Sequence, residues 1–122
     1  MLLRADHLHY AYEEAGQLHD VLRDVSLSLH AGERVALLGS SGSGKSTLLN
    51  LLGGIDAPSH GSIQITDKVI TRLKEPALTL FRRRHIGFVY QQFNLIPTLT
   101  TAENILLPLE LLGLSSLEQK QR

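Results

Sequence analysis

Nine consecutive residues, Gly39-Ser40-Ser41-Gly42-Ser43-Gly44-Lys45-Ser46-Thr47, combine backbone freedom, one fixed positive charge and a row of hydroxyls. The chemistry open to that combination is the holding of phosphate. They fill every specified position of the pattern G-x-x-x-x-G-K-[ST]. Glycines at 39, 42 and 44 admit conformations closed to other residues, so that successive N–H groups turn inward around phosphate oxygens at the positive end of a helix. Lys45 would add a full charge beside the β- and γ-phosphates of a nucleotide, and the Ser46 hydroxyl would reach a Mg²⁺ that bridges them. A flexible Gly/Ser linker has the same composition, but it gives no reason for a lysine at that spacing.

Such a loop must be held between a strand and a helix, and the flanking sequence offers both. Arg34 to Leu38 is a short apolar run after the turn-like Ala31-Gly32-Glu33, which predicts a strand buried on both faces. Lys45 to Leu52 contains good helix formers and stops at Gly53-Gly54, a C-terminal signal. Upstream, Leu3, Ala5, Leu8 and Tyr10, then Leu22, Val25, Leu27 and Leu29, alternate as strands do around the polar turn 13–17. An antiparallel pair therefore precedes the loop.

Downstream, Ser62 to Thr66 and Val69-Ile70 read as a hairpin after the loop chemistry of residues 55–61. Pro76 opens a short helix that ends in Arg82-Arg83-Arg84-His85, basic residues favourable at a helix C-terminus. Ile86 to Tyr90 reads as a strand that delivers Gln91-Gln92 at its end, where α/β folds place ligand-binding groups. Thr100 with Glu103, and Ser115 with Glu118, form two capping boxes. The second helix would hold only about two turns before Arg122, too short to stand without packing, so the chain is expected to be truncated.

At 122 residues the chain is one domain or part of one. Its 12 Lys and Arg balance 12 Asp and Glu, so no net field draws it to nucleic acid or an anionic membrane. With a helix end accounting for the Arg82–Arg84 cluster, no nucleic-acid partner is expected. No cysteine is present, which excludes disulfides and thiolate metal sites and fits a reducing, cytoplasmic compartment. Six histidines invite a metal site, yet only His7 and His9 lie close together and no carboxylate pair joins them at ligand spacing. The longest apolar stretch, Ile105 to Leu114, contains Pro108 and Glu110 and falls short of the roughly 20 residues of a membrane helix.

Taken together, the Tyr12 region, Gly32-Glu33, the loop from Gly39 to Thr47 and the run Ile86-Gly87-Phe88-Val89-Tyr90-Gln91-Gln92-Phe93-Asn94-Leu95-Ile96-Pro97 resemble the ATPase domain of ABC transporters over nearly the whole chain. Within that superfamily, residues 39–50 and 91–100 are most similar to the ATPases of lipoprotein-release and macrolide-export systems. The resemblance implies an α/β fold: a P-loop NTPase core with an N-terminal antiparallel β subdomain, divided as residues 1–31, 32–93 and the start of a helical subdomain at 94–122. It implies ATP and Mg²⁺ as ligands. Tyr12 falls at the position that stacks on adenine, Gly39, Ser40, Ser41, Gly42, Ser43, Gly44 and Lys45 hold phosphates with Thr47 closing the motif, Ser46 binds the metal, and Gln91 meets the metal and reports to a membrane permease. A second ATPase domain would complete a dimer, on the cytoplasmic face of the inner membrane.

The residues also depart from that family's full pattern. No Leu-Ser-Gly-Gly-Gln signature, no strand ending in a metal-binding Asp and catalytic Glu, and no switch His follows Gln91. No catalytic residue is assigned, and turnover is not expected of this chain alone, because phosphoryl transfer needs a water-orienting group as well as a cradle. Alternatives remain open. Tyr12 could be a strand aromatic packed beside Tyr10, and Gln91 a polar strand cap in competition with Gln92. Leu95, Ile96 and Leu99 fill either a core or a partner groove. The chain could be a fragment that binds nucleotide or another protein without hydrolysis, while a kinase or GTPase has no use for Gln91 or the preceding antiparallel strands.

Overall fold

The polar stretch at 13–17 turns the chain through two residues, Ala15 and Gly16, both at positive φ (52° and 78°). This is the turn geometry whose twist suits a hairpin. In the computed structural model, which describes residues 1–113, β1 (Leu3–Glu14) and β2 (Gln17–Leu29) run antiparallel from it, with Glu14 opposite Gln17. The capping box read at Ser115 and Glu118 lies outside the described residues. The chain divides into two compact units, Met1–Leu78 and the segment from Thr79 onward.

In the first unit β3 (His60–Ile65) adds to the other edge of β1, and β4 (Lys68–Val69) adds to β3. The four strands follow the order β2-β1-β3-β4 with antiparallel pairing throughout. The hairpin expected at 62–70 is present, with Ile70 in a 3₁₀ turn that follows it. Ala5, Leu8, Leu22, Ile63 and Ile65 are buried from the sheet. Helix α1 (Lys45–Leu52) has the bounds expected from sequence and buries Leu48 and Leu51, the one-face spacing of an amphipathic helix. Leu51 shares the lining of a small cavity with Ile70, Leu73 and Leu78.

The β1–β2 ladder is interrupted three times. Between Ala5↔Leu27 and Leu8↔Val25 the extra residue falls on β1, and between Leu8↔Val25 and Tyr10↔Leu22 it falls on β2. His7 (φ 50°) and Asp24 (φ 54°) sit at these two bulges, joined through His7 Nδ1 and Asp24 Oδ1 at 2.6 Å, while the His7 amide donates to Ser26 Oγ at 2.8 Å. Bulges bend a strand and raise its twist. On the opposite edge of β1, Gly61 (φ 96°) lets β3 pass so close that a Cβ there would overlap the carbonyl of His7 and lie 2.6 Å from that of Asp6.

Two expected strands do not form. Residues 34–38 and 86–90 make no ladder; in the first run, expected to be buried on both faces, Leu38 is 90% exposed, and in the second Val89 is fully exposed. The reason is pairing: a buried parallel strand needs a neighbour on each edge, and among the described residues no segment pairs with either run. Helix α2 (Ala77–His85), whose residues from Thr79 on belong to the second unit, finishes in the expected basic run. Helix α3 (Thr101–Leu111) begins at the expected capping box of Thr100 and Glu103.

Candidate phosphate-binding site

Lys45 is the hub of the glycine loop. Its ammonium donates to the carbonyls of Gly39 (2.9 Å) and Ser40 (2.6 Å) and to Ser43 Oγ (3.1 Å), which engages all three of its donors. The loop thus curls around a fixed positive charge. A Cβ on Gly39 would lie 2.7 Å from Ser43 Oγ and 3.9 Å from Lys45 Nζ, so a side chain there would have to displace the Ser43 hydroxyl. Phosphate oxygens compete well for such an ammonium, because an ionic acceptor forms a stronger bond than neutral carbonyls.

Helix α1 starts from Gly44, whose left-handed backbone (φ 85°) turns the chain into the first helical bond, Leu48 N–H to Gly44 O at 2.8 Å. No side chain caps this end and no acidic residue occupies its first turn. The amides of that turn have no intrahelical acceptor, and the positive end of the helix dipole is uncompensated. Ser46 lies in this turn with its side chain exposed, and Thr47 is half-buried. The donors present suit an anion, and the Ser46 hydroxyl suits a Mg²⁺ bound to that anion.

The sheet fixes the loop in place through the third bulge. Between Tyr10↔Leu22 and Ala11↔Asp20, Val21 is the extra residue of β2, and a bulge brings two successive side chains toward one side. Val21 and Leu22 both reach Gly44: a Cβ there would stand 3.1 Å from Val21 Cγ1 and from Leu22 Cδ2, and 3.3 Å from the Val21 carbonyl. Two residues earlier on the same strand, His19 faces Tyr12 as its direct partner across the ladder. Their rings stack at 5.5 Å with 24° between planes. Tyr12 remains 45% exposed, on the strand pair that carries the loop, and its ring packs on His19.

Gln91 lies in the second unit, exposed in a bend after the unpaired residues 86–90, so it is not the strand-end amide expected. The segment after it is pinned by a residue that sequence reasoning missed. Asn104 Oδ1 accepts from the Ile96 amide (2.8 Å), and its Nδ2 donates to the carbonyls of Ile96 (3.2 Å), Leu99 (3.1 Å) and Thr100 (3.0 Å). An Asn in the turn after a capping box is the signal that could have pointed to it. Leu95, Ile96, Pro97, Leu99 and Ile105 line an open groove of about 240 Å³, and Leu95 is 66% exposed; Leu95 and Ile96 are groove rather than core.

Two charged groups frame α3. The Thr100 amide and hydroxyl both donate to Glu103 Oε2 at 2.7 Å, and these bonds, the backbone one first, hold the Glu103 carboxyl below its ordinary range. At the other end, Arg83 Nη1 donates to the Leu111 carbonyl at 3.0 Å. The basic run of α2 therefore also caps the negative end of α3.

His19 is the second residue that escaped the sequence reading. Its signal lies in the hairpin register: with the turn centred on Ala15-Gly16, it falls opposite Tyr12.

The chain is 48% identical over 122 residues to the lipoprotein-releasing system ATP-binding protein LolD of Pseudomonas syringae pv. tomato, covering 99% of this chain and 53% of that protein. It is 46% identical over 110 residues to the bacitracin export ATP-binding protein BceA of Halalkalibacterium halodurans (90% and 44%), and 41% identical over 121 residues to the macrolide export ATP-binding/permease protein MacB 1 of Yersinia pestis (99% and 19%). Among solved structures, the dimeric bacterial ABC transporter cassette MJ0796 superposes with a TM-score of 0.91 at 38% identity, over 98% of this chain and 53% of that one. The same cassette in a post-hydrolysis state, bound to ADP and Pi, gives 0.90. The chain thus spans about half the length of LolD and of the solved cassette. The family profile described as ABC transporter matches residues 22–122, and with the glycine loop inside that match the chain belongs to the ABC transporter family.

Proposed function

We propose that this chain carries the ATP-binding loop of an ABC transporter subunit, of the export or lipoprotein-release type, that powers a membrane permease. The observation that carries the reading is the curl of residues 39–45 around the Lys45 ammonium at the start of α1. In this reading Gly39 to Lys45 bind the phosphates, Ser46 and Gln91 hold Mg²⁺, and Tyr12 stacks on adenine. The metal's contribution is to neutralise phosphate charge. The protein works as a dimer of ATPase domains, as the cassette MJ0796 is dimeric, at the cytoplasmic face of the inner membrane and with no nucleic-acid partner. The groove at Leu95, Ile96, Leu99 and Ile105 receives the permease. It is apolar, open, and held to the segment after Gln91 by Asn104.

Calorimetric titration with Mg·ATP tests the reading. Binding that Lys45→Ala weakens by about 100-fold, two charge-assisted bonds' worth, supports it. Equal affinity in the variant removes the phosphate assignment, and a clear preference for GTP removes the adenine assignment.

A further inference from the structure

We propose that His19 is a positioning residue for the base of the bound nucleotide: it backs one face of Tyr12 so that the other face is presented, already oriented, to a purine ring. The inference rests on the nucleotide reading above and adds to it a residue that contacts neither phosphate nor metal.

Three observations converge. Tyr12 and His19 are direct partners in the β1–β2 ladder, the arrangement in which cross-strand side chains meet. Their rings are stacked rather than edge-on, 24° apart in plane, and Tyr12 keeps 45% of its surface exposed. Finally, β2 itself measures out the site. Val21 and Leu22 touch Gly44 at the root of the phosphate loop, and His19 precedes Val21 by two residues, about 7 Å along a strand. Tyr10 and Tyr12, two apart on β1, share a face, and so do their cross-strand partners Leu22 and His19. The Tyr12–His19 stack thus lies on the same strand pair as the residues that meet Gly44.

The physical role of His19 follows from exposure. A tyrosine on a strand near a hairpin tip, with solvent on both faces, would lose rotamer freedom on capturing a base. A ring stacked on an imidazole has already given up much of that freedom, so affinity rises through preorganisation. His19 also supplies a polarised second layer in a three-ring stack, which favours offset geometry.

The test separates base from phosphate. Mg·ADP and inorganic tripolyphosphate with Mg²⁺ are titrated into the full chain and into His19→Ala, His19→Phe, Tyr12→Ala and the Tyr12→Ala/His19→Ala double variant. His19→Ala should weaken ADP by about two- to tenfold, the size of an aromatic pair contribution, and leave tripolyphosphate unchanged. His19→Phe should restore ADP affinity. His19→Ala should have no further effect once Tyr12 is Ala, as expected of a residue acting through another. The inference is overturned if His19→Ala weakens both ligands alike, or if it spares ADP while Tyr12→Ala weakens it. Should Tyr12→Ala itself leave ADP unchanged, the base platform fails along with its support. If the unaltered chain takes up neither ligand, the nucleotide reading fails first.

Discussion

Replacing Gly44 by alanine separates two things that glycine does at the root of the glycine loop. The first is conformational: at φ 85° a residue with a Cβ is strained by about 1–2 kcal/mol. The second is contact. The new methyl would stand 3.1 Å from Val21 Cγ1 and Leu22 Cδ2 and 3.3 Å from the Val21 carbonyl. Leu22 is buried and the carbonyl is backbone, so neither yields freely, and overpacking of this kind costs about 1–3 kcal/mol. Gly42→Ala is the matched control, since Gly42 also has positive φ (78°) yet a Cβ there meets nothing within 4 Å. It should show the first cost alone. Native-state hydrogen exchange at the amides of Ala5 and Leu8, both in the core of the first unit, reads the difference directly. Gly44→Ala should lose roughly 5- to 150-fold more protection than Gly42→Ala. Equal losses would refute the claim that the Val21 bulge holds the loop.

Other perturbations address the rest of the chain. Leu51→Ala removes a fully buried side chain and should destabilise the first unit by about 2–5 kcal/mol. Leu49→Ala, on the exposed face of the same helix, should stay within about 0.5 kcal/mol; urea unfolding compares the two. Because the folded Glu103 carboxyl lies below its ordinary value of 4.5, its contribution to α3 is complete above that pH and is lost as pH falls through the lowered value. Helical chemical shifts at 101–111 should therefore weaken on acidification below about pH 4.5, and an identical acid response in Glu103→Gln would remove the capping box as its cause. In the complete transporter, Leu95→Asp should leave nucleotide affinity unchanged while ATP turnover loses its dependence on transport. If transport survives, the permease sits elsewhere.

Local chemistry was the legible part of this sequence. Both ends of α1 follow from Gly44-Lys45 and Gly53-Gly54, the start of α3 from Thr100 and Glu103, and the basic end of α2 from Arg82 to His85. These signals act within one turn of the chain, so a single sequence carries them. The runs at 34–38 and 86–90 misled because apolar, β-branched residues report a wish to be covered rather than a partner, and no described segment pairs with them. The bulges were half visible. Apolar positions advance by two along each strand but skip from Ala5 to Leu8 and from Leu22 to Val25, the places where the ladder shifts register. What no spacing could show was that the Val21 bulge would be aimed at Gly44. That contact joins residues distant in sequence.

The pairing of β3 with the outer edge of β1 has a consequence for the order in which the protein assembles. β1 and β2 meet through a two-residue turn, and a hairpin of this kind closes within about 1–10 μs. The ladder that joins His9 to His60 and Leu3 to Ile65 must instead close a loop more than ten times longer, and the whole glycine segment lies inside it. Loop-closure entropy opposes that step, although only logarithmically with length. The sheet edge that β3 completes is thus the seam of the first unit. Its zipping brings Gly61 against His7 and shuts the segment containing α1 into a closed ring of chain. Mutations at that seam should leave the hairpin intact while slowing the ordering of the glycine segment during refolding.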